Sequence, residues 1–100
     1  MAEFIILFQD NPDADPDIRK TQMPAHLAFL EAHADTIMTA GPLFDATGTG
    51  KGGLWVVKAA AEEEAERLVH IDPFWDTGLR QSYQILRWQQ VFADGVRQIP

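Results

Sequence analysis

This chain predicts an α+β fold in which two helices pack on one face of a four-stranded antiparallel sheet. Three observations carry that expectation. Apolar runs and helical stretches follow one another in the order strand, helix, strand, strand, helix, strand. The runs Phe4–Phe8 and Leu54–Val57 are apolar on both alternating faces, as strands are when both sides of a sheet are covered. Clusters of Gly, Pro, Asn and Asp punctuate the runs, which marks turns. One hundred residues make a single domain, 1–100.

The first strand is expected over Glu3–Gln9, ended by the turn Asp10-Asn11-Pro12-Asp13. Asp15-Pro16 suits a short helical turn, with Asp15 as its cap. The first long helix is expected from Thr21 to Ala34. That start leaves Pro24 in the first turn, where a proline is tolerated. Leu27, Leu30 and Ala34 share one face of it, with Met23 at the edge, while His26, Phe29 and His33 line up beside them. Thr36–Phe44 reads as a second strand. Gly41-Pro42 marks it as an edge, a bulge or a strand end, since proline cannot donate to a ladder.

Ala46–Gly53, with four glycines, reads as a flexible hairpin into a third strand at Leu54–Lys58. Its Gly-Lys is followed by Gly52 and a strand rather than by Ser or Thr and a helix, so it is not a phosphate-binding loop. Ala59–Val69 is a helix with Glu62, Glu63 and Glu64 near its start, where they suit the dipole. Its inner stripe is Ala61, Ala65 and Leu68. Asp72-Pro73 opens a short helical turn through Trp75, closed by Gly78, and Ser82–Phe92 is the last strand. The tail from Ala93 to Pro100 is expected to be extended or bound to a partner. The order βαββαβ is that of the ferredoxin-like fold.

Both helices then cover one sheet face and leave the other apolar and bare. A patch of that size implies a partner, and symmetric self-association is the commonest solution. A homodimer in which two sheets face each other, a dimeric α/β barrel, is the expectation. The net charge of −7 argues against nucleic acid and against an anionic membrane surface. There is no cysteine, so disulfides and thiolate metal sites are excluded. The start Met1-Ala2-Glu3-Phe4 has no basic stretch, and Phe4–Phe8 is too short for a signal or a membrane span. The expected location is cytoplasmic.

His26 is the most informative titratable residue, because histidine suits proton transfer near neutral pH. Asp72 is a good cap before Pro73, and capping alone accounts for it. Its second possible role is to reach His26, orient the ring and stabilise its charged form. Because Asn caps about as well as Asp, Asp72→Asn is expected to leave the stability nearly unchanged, with a loss of at most about a few tenths of a kcal/mol. His26 and His33 stand two turns apart, roughly 10 Å along a helix, too far for one ion, so no metal site is expected. Trp55, Trp75 and Trp88 read as core or interface residues.

Met23-Pro24-Ala25-His26-Leu27, then Thr39-Ala40-Gly41-Pro42-Leu43, a Gly-rich hairpin into Gly53-Leu54-Trp55-Val56-Val57, a Glu-rich helix and Ile71-Asp72-Pro73-Phe74 together resemble the YciI-like (YCII-related) family. The likeness runs from Phe4 to Phe92. It implies dimeric ferredoxin-like barrels and an active-site histidine and aspartate, which fall on His26 and Asp72. Some members of that family act on small cyclic or aromatic compounds. The chain departs from the pattern at Met23, where the family often has arginine, and at Leu86-Arg87-Trp88, where it often has a proline. The implied function is that of a small enzyme, a lyase or isomerase, using a His–Asp pair on a cyclic or aromatic metabolite without metal or organic cofactor. Phe29, Phe74 and Trp75 are the expected pocket walls. The alternatives are a non-catalytic small-molecule-binding or interaction domain and a cofactor-free monooxygenase of the dimeric barrel type.

Overall fold

The computed structural model describes all residues, Met1–Pro100. Strand β1 (Ala2–Asp10) is followed by helix α1 (Ile18–Ala32), strands β2 (Ile37–Phe44) and β3 (Gly50–Ala59), helix α2 (Glu62–Ile71), a single 3-10 turn at Trp75–Thr77 and strand β4 (Arg80–Trp88). Two short strands, β5 (Phe92–Ala93) and β6 (Val96–Arg97), close the chain. The four long strands form an antiparallel sheet in the order β2-β3-β1-β4. This is the ferredoxin-like arrangement. No helix is long and apolar enough to cross a membrane.

Alternation along the central strands sorts the sheet into two faces. Phe4, Ile6 and Phe8 of β1 and Trp55, Val57 and Ala59 of β3 are buried under the helices, with Ile37, Ala65, Leu68 and Val69. Ile5, Leu7, Leu54 and Val56 point the other way and are only partly buried. Leu86, paired with Ile5, is 42% exposed. Ladder pairs Ile5–Val56 and Leu7–Leu54 make these residues one continuous apolar surface.

Helix α1 begins three residues before the expected start. Asp15 explains the difference: its Oδ1 accepts the Asp17 N–H at 2.9 Å and its carbonyl accepts the Ile18 N–H at 3.1 Å. The short Asp15-Pro16 turn therefore runs straight into the helix, and Pro24 lies in the second turn. A proline there removes a donor and crowds the preceding turn, a loss of roughly 3 kcal/mol in an isolated helix. The Lys20 backbone left without that donor lies on the exposed side. The inward face is also not the leucine face. Leu27 is 48% exposed, and the one buried residue of α1 is His26, flanked by the partly buried Phe29 and Leu30.

The glycine-rich stretch is less flexible than expected. Asp45 Oδ1 accepts the Thr47 and Thr49 backbone N–H groups and the Thr47 hydroxyl, which fixes the turn. These bonds, the Thr47 hydroxyl first, hold the Asp45 carboxyl below its ordinary value. Gly50–Gly53 already belong to β3. Gly52 has φ +99°, and a Cβ there would sit 1.8 Å from the Phe8 carbonyl oxygen, so only glycine fits. Strand β2 is an edge strand with irregular register on both sides of Gly41-Pro42. Strand β4 starts and stops earlier than expected, and the tail folds back as the β5–β6 hairpin through Asp94-Gly95, both at positive φ.

Candidate active site: a buried histidine, aspartate and arginine

Asp72 ends α2. Its N–H still bonds the Leu68 carbonyl at 3.1 Å, but its backbone is extended, as the residue before a proline prefers. The Asp72 carbonyl accepts the Trp75 N–H at 2.9 Å, and Oδ1 accepts the Phe74 N–H at 3.2 Å. The capping role expected of Asp72 is therefore present. The same Oδ1 lies 2.8 Å from His26 Nδ1. An ionised carboxylate only accepts, so the Nδ1–H of His26 is the donor.

The other oxygen, Oδ2, accepts from Arg80 Nη1 at 2.5 Å. Arg80 opens β4 just after Gly78, whose φ of +80° turns the chain. The Asn11 N–H bonds the Leu79 carbonyl at 2.7 Å and helps to hold that turn against β1. The guanidinium carbon lies 3.9 Å from the centroid of the Phe8 ring and between 5 and 6 Å from those of Trp55 and Phe74. Side-chain exposure is 0% for Asp72, 6% for Arg80 and 9% for His26. Every buried side-chain nitrogen and oxygen has a hydrogen-bond partner.

Burial alone pushes the Asp72 carboxyl up. The His26 hydrogen bond, the charges of Arg80 and His26 and the Phe74 N–H reverse this and hold it below the ordinary value of 3.8. Burial pulls Arg80 down against the opposing charge of Asp72, yet a guanidinium keeps its proton at any ordinary pH.

The His26 ring stacks on Phe74 at 4.3 Å between centroids. With Nδ1 engaged by Asp72, Nε2 is the nitrogen left for a ligand. His26 lines a cavity of about 130 Å³, with Met23, Leu27 and Leu30 from α1, Ala40, Gly41 and Pro42 from β2, Trp55 from β3, and Phe74. Its lining is apolar apart from the histidine. A larger open hollow of about 660 Å³ runs along the outer side of α1 past Pro16, Arg19, Lys20 and Pro24, sharing Met23 and Leu27 with the cavity. It contains none of the buried charged groups.

His26 and Asp72, chosen from the sequence, thus meet directly, and Phe74 stands beside them. Trp75 does not line this cavity. It packs edge-on against His70 and Tyr83 on the β4 side, because the 3-10 turn carries it away from Phe74. Phe29 lies 6.5 Å from the His26 ring but packs on His33 and Trp55 rather than lining the space. His33 sits against Phe29, and His70 Nε2 lies 3.0 Å from the Tyr83 hydroxyl, so the three histidines do not converge. Sequence reasoning missed Arg80, and it assigned Trp55 to core or interface without placing it at the pocket. Met23, where the resemblance leads one to expect arginine, gives the cavity an apolar wall.

Arg80 changes what Asp72→Asn should do. Asn still caps the turn, but it leaves a buried guanidinium without its counter-charge, which destabilises by about 3–5 kcal/mol. The few-tenths loss expected for a cap alone does not apply. Because the folded carboxyl titrates below 3.8, its contribution is complete above about pH 4 and is lost as pH falls through the lowered folded value. Urea unfolding at pH 7 and pH 3 should show the variant strongly destabilised at pH 7 and closer to wild type at pH 3. A loss below about 1 kcal/mol at pH 7 would mean that Asp72 is only a cap.

Comparison with known proteins bears on the same site. The solved structure of a 5-chloro-2-hydroxyhydroquinone dehydrochlorinase from Burkholderia phenoliruptrix, in complex with 2,5-dihydroxybenzoquinone, is similar at 28% identity and a TM-score of 0.75, over 87% of this chain and 93% of that one. A dimeric ferredoxin-like protein of unknown function from Bacteroides fragilis matches at 13% identity and TM-score 0.51, over 89% and 95% of the two chains. An antibiotic biosynthesis monooxygenase matches at 10% and 0.55, over 91% and 99%. The last two likenesses show the fold alone. No curated protein matches the sequence. The YCII-related domain matches residues 2–89, which is nearly the whole folded body, and the chain belongs to that family.

Proposed function

We propose that the protein is an enzyme acting on a small oxygenated ring by acid–base chemistry, with His26 as the proton-transfer group and Asp72 as its orienting partner. One observation carries the reading: Nδ1 is tied to a buried carboxylate at 2.8 Å, and the same ring forms the polar part of an otherwise apolar cavity. A cavity of about 150 Å³ holds a benzene molecule, so about 130 Å³ limits the occupant to a single ring. The similar dehydrochlorinase, solved with a dihydroxybenzoquinone, supports a substrate of that class.

The chemistry follows from the geometry. Nε2 takes a proton from a C–H or O–H bond of the ring compound, and the freed electron pair moves into the ring system. It then either expels a leaving group as an anion, the lyase outcome, or takes the proton back from the imidazolium at another ring position, the isomerase outcome. Asp72 stabilises the imidazolium in between. The residues assigned here do this without a metal or an organic cofactor. Trp55 and Phe74 provide flat walls for the ring.

The test is a panel of hydroxylated and chlorinated hydroquinones, followed by ultraviolet absorbance and chloride release. A substrate in this panel should be turned over by the wild type, and His26→Gln should reduce kcat by about 10²–10⁴-fold with binding largely retained. Tight binding of panel members without turnover, unchanged in His26→Gln, would favour the binding-domain alternative.

The reading includes a homodimer through the open sheet face. Ile5, Leu7, Leu54, Val56 and Leu86 form a continuous apolar surface, and the similar Bacteroides protein is dimeric. Sedimentation at micromolar concentration should give twice the chain mass of 11.2 kDa. Val56→Glu with Leu86→Glu should return it to one. A wild type that sediments as a monomer removes the barrel assembly.

A further inference from the structure

Arg80 is a buried cation that the acid–base reading leaves without a task. A carboxylate and an imidazole buried together have one electrically neutral arrangement with the acid ionised, the imidazolium–carboxylate pair. Here a second cation is already in place. Arg80 sits on Asp72 Oδ2 at 2.5 Å, wedged against the Phe8 ring and 6% exposed. With a neutral imidazole the three groups sum to zero charge. A proton on His26 would leave a net positive charge among side chains that are at most 9% exposed.

We propose that Arg80 is a positioning residue that takes up the charge of Asp72 and so keeps His26 resting as the neutral, Nδ1-protonated tautomer, with the Nε2 lone pair open to the cavity. This rests on the His26–Asp72 reading and deepens it. The resting histidine is a base rather than an acid, and the substrate class narrows to ring compounds that arrive carrying the proton to be removed. An anionic substrate, already deprotonated, meets neither an acid nor a free cation at Nε2.

Other charges near the ring do not disturb this balance. Arg19 of α1 approaches Phe74 at 5.9 Å, but it is paired with Asp10 of β1 at 2.8 Å. Asp10 and Arg19 also act on Arg80 with opposite signs. The cavity residues from β2 and β3 carry no charge. Arginine suits the place because its planar cation stacks on an aromatic face and cannot give up its proton, whereas a buried lysine readily does.

The experiment is nitrogen-15 NMR of the His26 ring across pH, which needs no substrate. In the wild type near neutral pH, Nδ1 should carry the proton and Nε2 should be bare. Arg80→Met should move the midpoint of the ring titration upward by about one unit or more, since the imidazole must then balance Asp72. Arg80→Lys, which supplies a cation only while it holds its proton, should reverse part of that shift. A purely structural Arg80 would alter stability and leave the midpoint in place.

Two results overturn the proposal. One is a wild-type ring that is imidazolium at pH 7, a measurement that stands even if a variant fails to fold. The other is coincident titrations for wild type and Arg80→Met. Adding Asp72→Asn to Arg80→Met separates this failure from that of the underlying pair, because it removes the carboxylate without stranding the guanidinium. The midpoint should then fall below that of the single variant. If it stays put, the His26–Asp72 reading fails as well.

Discussion

The structure depends on one carboxylate. Asp72 places one oxygen on His26 and the Phe74 N–H and the other on Arg80, and its side chain has no exposed surface. Those contacts join α1, the turn after α2 and the start of β4. The charge is tolerated in so dry a place because its oxygens accept three hydrogen bonds, two of them from groups that are or can be cationic. Each partner is oriented in return. The histidine presents one defined nitrogen to the cavity, and the guanidinium carbon of the arginine is held 3.9 Å from the centroid of the Phe8 ring.

The fold around this carboxylate explains the shape of the cavity. Gly41-Pro42 sits on an edge strand that stays paired with β3 from Thr39 to Pro42 and shifts register on both sides of that stretch, and Ala40, Gly41 and Pro42 from it line the cavity. Gly52 brings β3 close to the Phe8 carbonyl, on the strand that carries Trp55 into the site. Proline in the second turn of α1 is tolerated because the Lys20 backbone it leaves without a donor lies on the exposed side. The inward face of α1 is not purely apolar, since its one buried residue is His26, while Leu27 is 48% exposed.

Much of this was legible in the residues. Apolar runs and turn signals placed the four strands and two helices in the right order, because their periodicities are strong. The His26–Asp72 meeting followed from the fold together with the ordered motifs. Arg80 was hidden for a specific reason. Tyr83 and Ile85 pack toward the core, and plain alternation from them carries Arg80 to the opposite face. An irregularity opposite Gln9 and Asp10 shifts the phase by one residue and turns Arg80 inward. No turn residue within the strand announces that bulge. Trp75 was misplaced for a similar reason: a single 3-10 turn decides which of two adjacent aromatic rings reaches the site.

The measurement that tests this account most directly is titration of the protein with a hydroxylated hydroquinone that is uncharged at neutral pH, followed by nitrogen-15 NMR of the histidine rings and the backbone. The account predicts that His26 Nε2 shifts most among the ring nitrogens, with Gly41 and Phe74 the most affected amides, while His33 and His70 stay near their free positions. Shifts centred on the outer hollow of α1, around Lys20, or on the open sheet face, with His26 unmoved, would contradict it.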